Sequence, residues 1–268
     1  MPFLTRWVKW VRTSSAYTDS EGRDRDGPRT GSVACPIDGA CAPAVPDRVT
    51  VHIVRRQRVA APGIFCVEGQ WGDLDRKESV LPILELLERL GRIRFIHKDV
   101  ATPEELDFYL SRWRLRRYAE YKVAYFAMHG EASHLVLTEG RSLSLEELGE
   151  RLEGRCAGRR IYFGSCSVMR HSARLARFVE KTGAELACGF TVSVDWLESA
   201  AFDTVLLDLL ANSTPSAVSK RMASARWAPL AAHLGFSIVY AGGRSWSAAR
   251  DLKVPAQAGP RDSARLDA

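Results

Sequence analysis

From residue 63 onward, short apolar runs alternate with stretches whose apolar positions recur every three or four residues. The runs 63–68 (GIFCVE), 93–96 (IRFI), 123–128 (VAYFAM), 160–164 (RIYFG), 185–190 (ELACGF) and 236–240 (FSIVY) are too short for core helices and predict six buried strands. Between them, 79–90, 102–121, 144–153, 172–182, 200–210 and 215–233 predict helices. Thr102-Pro103-Glu104-Glu105 marks one helix start, with a capping hydroxyl, Pro in the first turn and early acids. Ser144 followed by Glu147 gives another its capping box. The segment 134–138 (HLVLT), a turn at Glu139-Gly140 and 141–143 predict a hairpin. Strands that are apolar on both faces and separated by helices form parallel sheets covered on both sides. The expected fold is α/β, a three-layer α/β/α sandwich around a mostly parallel sheet of about six strands.

The two ends of the chain read differently. Residues 14–46 are rich in Ser, Gly, Asp, Arg and Pro, so 1–60 are expected to be a largely flexible extension, with 49–54 (VTVHIV) alternating like an edge strand. Residues 244–268 return to such a mixture and are expected to be a flexible tail, which leaves 61–243 as the folded domain. No apolar run nears the roughly 18 to 20 residues of a membrane span, and no secretory pattern opens the chain. A cytoplasmic protein with no membrane partner is expected. The six Cys are scattered without a C-x-x-C pair, which supports neither a zinc knuckle nor a disulfide framework.

The net charge of +6 raises the question of nucleic acid. However, the 38 basic residues are spread along the chain. Their densest cluster, Arg112, Arg114, Arg116, Arg117 and Lys122, is interleaved with Glu104, Glu105, Asp107 and Glu120, so no nucleic-acid partner is expected. No Walker loop, G-x-G-x-x-G or G-x-S-x-G is present, and no cofactor is expected. His134 lacks neighbours at metal-ligand spacing, and no metal is expected; His97, at the end of the second strand, reads as a surface histidine.

Ligands of open parallel sheets collect at the carboxyl ends of strands. Two predicted strands end there in reactive side chains, the third in His129-Gly130 and the fourth in Ser165-Cys166-Ser167. An imidazole beside a thiol can take its proton, hold a thiolate and then protonate a leaving group. Taken singly, a cysteine after an apolar strand is more often a small buried filler. The ordered combination is sharper: strand, His-Gly, hairpin, helix, then a strand ending Gly-Ser-Cys. Cys66 and Cys188 lie within strands, Cys156 at a helix end and Cys35 and Cys41 in the extension, so these five are assigned packing or no role.

The stretch 123–130 (VAYFAMHG), followed by hairpin, helix and 160–166 (RIYFGSC), resembles the caspase-like cysteine peptidases, a group that includes caspases, metacaspases, separase and bacterial CHAT proteases. The resemblance covers 63–243. It implies a cysteine endopeptidase acting on a protein or peptide, with His129 as general base, Cys166 as nucleophile and the backbone N–H groups of Gly130 and Cys166 as the oxyanion hole. It further implies a possible activating protein partner and, by analogy with prokaryotic relatives, a role in antiviral defence or programmed death. Metacaspases tend to carry an acid two positions before the Cys, where this chain has Gly164, and the caspase pattern Q-A-C-x-G is absent. The stretch 189–198 (GFTVSVDWLE) resembles the pocket-lining segment of separase and CHAT proteases. Asp195 would then recognise an Arg or Lys side chain and Trp196 would wall the pocket. Equally, Asp195 followed by Glu198 is a helix cap, and Glu68, Asp73 and Asp75 are other acids for the pocket. A catalytically silent scaffold that binds partners is the alternative reading.

Overall fold

The structure is a computed structural model that describes residues 60–251, apart from 74 and 139. The expected extension 1–60 lies almost wholly outside the described residues, as does 252–268 of the expected tail. Ten strands are described: β1 (Gly63–Glu68), β2 (Arg94–Asp99), β3 (Tyr121–Ala127), β4 (His129–Glu131), β5 (His134–Thr138), β6 (Arg141–Ser144), β7 (Arg160–Phe163), β8 (Leu186–Phe190), β9 (Phe236–Tyr240) and β10 (Ser245–Ser247). Eight helices accompany them: α1 (Leu81–Arg89), α2 (Pro103–Trp113), α3 (Leu145–Arg151), α4 (Ser172–Thr182), α5 (Trp196–Asn212), α6 (Pro215–Met222), α7 (Ala228–His233) and α8 (Ala248–Asp251). A 3-10 turn, Arg116–Tyr118, follows α2.

The main sheet has seven strands in the order β10-β9-β8-β7-β3-β1-β2. Strands β2, β1, β3, β7 and β8 are parallel, and β9 and β10 continue the sheet antiparallel. Side-chain alternation along the central strands divides the core into two layers. Ile64, Cys66, Val123, Tyr125 and Tyr162 face α1, α5, α6 and α7. Phe65, Val67, Ala124, Phe126 and Phe163 face α2, α3 and α4. Both faces are covered, so β1 is buried along its whole length. The three-layer α/β arrangement predicted from the alternating runs is the one found.

Differences lie at the edges and joints. The hairpin gains a third strand, β4, and forms a separate small sheet, β4-β5-β6. The predicted helix 215–233 is two helices, the second with Pro229 in its first turn, where a missing N–H costs nothing. Residues 245–251, read as tail, are ordered because β10 pairs with β9 and Trp246 packs on Phe236 at 6.1 Å. Helix α2 stops at Trp113, whose indole N–H donates to the Tyr121 carbonyl at 2.8 Å.

The strand order also locates a crevice. After β1 the chain moves outward to β2, then returns to lay β3 on the other side of β1 and continues away through β7 and β8. Outside the carboxyl ends of β1 and β3 the connections diverge, and there an open α/β sheet receives ligands. The core layer beneath depends on α5, whose Leu206 is fully buried. Leu206→Ala is expected to lower unfolding free energy by about 2–5 kcal/mol, read from denaturant melts.

Candidate active site

Cys166 sits on the turn that follows β7. The Gly164 N–H donates to the Phe126 carbonyl at 2.9 Å, and a Cβ at Gly164 would meet the Tyr125 ring at 2.5 Å. Glycine is therefore required for the strand end to lie this close to β3. The next residues reverse direction. Ser167 is left-handed, with φ of 55°, and its N–H donates to the Val192 carbonyl at 3.0 Å. This bend leaves the Cys166 thiol half-buried, with the Val194 N–H directed at its sulfur at 3.5 Å. Among the described residues, no acceptor takes the N–H of Cys166 itself.

The remaining described thiols are unlike it. Cys66, Cys156 and Cys188 are buried. Burial pushes the Cys156 thiol up to about 11, and it raises Cys66 and Cys188 well above the usual range. Of these thiols only Cys166 is partly exposed, and thiolate reactivity requires both access and a thiol that can ionise.

His129 begins β4, directly after β3, and is exposed. Its Nε2 lies 2.8 Å from the Trp71 carbonyl oxygen. A carbonyl only accepts, so Nε2–H is the donor and the Nδ1 lone pair of the neutral ring is left available. The Trp71 ring also meets the imidazole edge-on, with centroids 5.2 Å apart. A Cβ on Gly130 would lie 2.6 Å from the Cys166 carbonyl oxygen and 2.7 Å from Cβ of Ser165. The backbone after β3 thus lies against the backbone after β7, a contact that no other residue type fits.

His129 and Cys166 open onto one cavity of about 170 Å³. Trp71, Tyr125 and Trp196 supply aromatic walls, and the Trp71 and Trp196 rings meet edge to face at 4.6 Å. At the bottom lies Asp203 of α5, 4% exposed, which receives a hydrogen bond from the Tyr125 hydroxyl at 2.6 Å and another from Tyr162. Burial pushes the Asp203 carboxyl up to about 6, against the opposing effect of the two tyrosine donors. A second recess, on the other side of His129, is lined by Gln70, Asp73, Gly130 and Thr138.

The structure brings together His129, Gly130, Cys166 and Trp196, four of the five residues singled out in the sequence. It does not bring Asp195 to the cavity. The Asp195 carboxylate is the N-cap of α5 and accepts from the N–H groups of Leu197 and Glu198 at 2.9 and 3.1 Å. The acid that lines the cavity is Asp203, two turns into α5. Sequence reasoning missed it, although an Asp among the apolar positions of that helix is a signal of a buried, partnered carboxylate. Trp71 was missed for a different reason, since the group it offers His129 is a backbone carbonyl, which every residue type carries.

Glu68 stands behind Trp71 and is 2% exposed. It accepts from the Trp71 indole at 2.5 Å, the Val80 N–H and the Ser79 hydroxyl at 2.8 Å, and His97 Nε2 at 2.6 Å. Burial pushes this carboxyl up, but the four donors outweigh burial and hold it below its ordinary value. His97 is therefore a largely buried partner of Glu68 and not a surface histidine. Glu68, His97 and Asp99 bring metal-ligand atom types within 4.8 Å of one another, the one such group among the described residues, but the Glu68 oxygens already serve those donors. Among the described residues no helix is long and apolar enough to cross a membrane.

Residues 62–240 match the model of a family described as one of unknown function, DUF6642. No curated protein matches the sequence. Among solved structures, a secreted C11 cysteine protease from Bacteroides thetaiotaomicron, in complex with an irreversible peptide inhibitor, is similar at a TM-score of 0.49 and 11% identity. The alignment covers 67% of this chain and 66% of that one, just under two thirds of its length. Caspase-1 from Spodoptera frugiperda is similar at a TM-score of 0.30 and 14% identity, over 40% of this chain and 49% of that one.

The Asp203 carboxyl has a pH consequence with a definite sign. An acid whose pKa is raised in the fold, from 3.8 to about 6, adds stability that is complete below pH 4 and is lost as pH rises through 6. Asp203→Asn removes that titration and leaves a group both tyrosines can still bond. The difference in melting temperature, variant minus wild type, is expected to rise between pH 4 and pH 6.5 and then level off in a thermal-shift series.

Proposed function

Because the chain belongs to the DUF6642 family, whose function is unknown, we propose its activity from the site itself: it is a cysteine endopeptidase that cleaves a protein or peptide through His129 and Cys166. One observation carries the reading. The Gly130 backbone packs on the Cys166 carbonyl, so that a half-exposed thiol and an imidazole with a free Nδ1 open onto the same cavity.

In this reading His129 Nδ1 takes the thiol proton and Cys166 Sγ attacks the peptide carbonyl carbon, forming a C–S bond. The carbonyl oxygen becomes an oxyanion that the N–H groups of Cys166 and Gly130 receive. Each such donor is worth about 10²- to 10³-fold in rate. The intermediate collapses as the C–N bond breaks and the imidazolium gives its proton to the leaving amine. Water, deprotonated by His129, then hydrolyses the thioester and frees the thiol. The Trp71 carbonyl steadies the imidazolium throughout by holding Nε2–H. No direct hydrogen bond links His129 to Cys166; such pairs tighten when substrate binds.

The cavity supports a choice of substrate. Trp71, Tyr125 and Trp196 would flank the side chain that precedes the cleaved bond, and the Asp203 carboxylate below them would favour a basic end group. Asp203 thereby takes the role that the sequence offered to Asp195.

Peptidyl acyloxymethyl ketones with Lys, Leu or Asp at the cleavage position test this by intact mass. Labelling is expected at Cys166, to be absent in Cys166→Ala and to fall at least a hundredfold in rate in His129→Ala. The Lys probe is expected to react fastest, and Asp203→Asn to remove that preference. Labelling spread over several thiols and indifferent to His129 would instead indicate the silent scaffold. Gly130→Ala is expected to abolish labelling as well, since its Cβ would displace the Cys166 turn.

A further inference from the structure

A second groove lies at the sheet edge. Strand β2 is an outer strand of the seven-stranded sheet and, among the described residues, pairs only with β1. Beside it run α2 and the 3-10 turn Arg116–Tyr118, and between them lies a groove of about 270 Å³. Ile96, Phe108, Tyr109 and Tyr118 line it, and Phe108 is 52% exposed. The groove shares no lining residue with the cavity of Cys166.

Its charge is distinctive. Arg112 lies over Phe108 at 5.1 Å, Arg117 over Tyr118 at 5.0 Å and Lys98 over Tyr109 at 5.9 Å. Among the described residues none of these three cations has a carboxylate within 4.0 Å. The acids that the sequence interleaves with this cluster are engaged elsewhere or stand apart. Asp107 pairs with Arg151 at 2.7 Å, and Glu105 accepts from the N–H groups of Ala101 and Thr102 in the cap of α2. A guanidinium stacked on a ring keeps its N–H edge free for an oxyanion.

We infer that this groove docks an extended acidic peptide of a partner protein, laid along the open edge of β2 with its carboxylates on Lys98, Arg112 and Arg117. The strand edge offers backbone hydrogen bonds to an extended chain, the aromatic floor takes alternate apolar side chains, and the unpaired cations supply complementary charge. A nucleic acid fits less well. Each of the three rings already carries a cation on one face, which a base would have to displace in order to stack there.

The test is fluorescence anisotropy with the full chain and a fluorescein-labelled heptapeptide alternating Glu or Asp with Phe or Leu. Controls are the same peptide with Lys at each acidic position, and oligo-dT of seven nucleotides. The acidic peptide is expected to bind, the Lys peptide not to, and the double variant Arg112→Glu, Arg117→Glu to weaken binding by about tenfold or more. Phe108→Ser, at an exposed position, is expected to weaken it without altering the melting temperature. Tighter binding of oligo-dT than of the acidic peptide would overturn the assignment in favour of nucleic acid. No binding by the full chain, or affinity indifferent to both variants, would overturn it outright. Peptide affinity that appears only after removal of residues 1–59 would also overturn it, by showing the groove to be occupied by the chain's own N-terminal segment. None of these readouts depends on Cys166.

Discussion

The buried carboxylate of Glu68 fixes most of what surrounds the site. It ends β1, the strand buried on both faces, and receives donors from the following loop, from the start of α1 and from β2. A buried charge is tolerated only when its lone pairs are used, and here four donors use them. In return the loop after β1 is pinned at Trp71, so one residue can present its carbonyl to His129 and its ring to the cavity. Removing one donor would leave a charge poorly compensated in the interior, a larger penalty than the loss of one ordinary hydrogen bond.

Much of the fold was legible because the apolar runs have strand length and are apolar on both faces. Gly63–Glu68, Phe236–Tyr240 and α4 lie where periodicity puts them, and the caps at Thr102 and Ser144 are the hydroxyls that the capping boxes name. The misreadings arose where long-range packing decides the outcome. Residues 245–247 are a strand because β9 offers an edge, which no local pattern in an Arg- and Ala-rich segment reveals. The helix after 215 breaks near Ser224, whose hydroxyl bonds back to the Arg221 carbonyl.

The candidate site divides along a similar line. His129, Gly130 and Cys166 could be found because strand ends are visible in a sequence and the chemistry is carried by distinctive side chains. The contributions of Trp71 and Asp203 depend on a backbone carbonyl and on the inward direction of a helical residue, and both are properties of the assembled fold. Asp195 shows the limit from the other side, since an acid before a helix reads equally as a cap or a ligand. Two backbone N–H groups within reach make it a cap.

Tyr125 joins two parts of the site that are usually varied separately. Its ring is what excludes a Cβ at Gly164, beneath the turn that carries the thiol, and its hydroxyl binds the carboxylate at the cavity floor. Stacked on Tyr162 at 4.9 Å, it has no room to yield. A redesign that reshapes the floor would therefore also move the support beneath Cys166. The shape of the floor and the position of the thiol are mechanically linked in this scaffold, and a library that alters position 125 would have to restore the position of the sulfur together with the new shape.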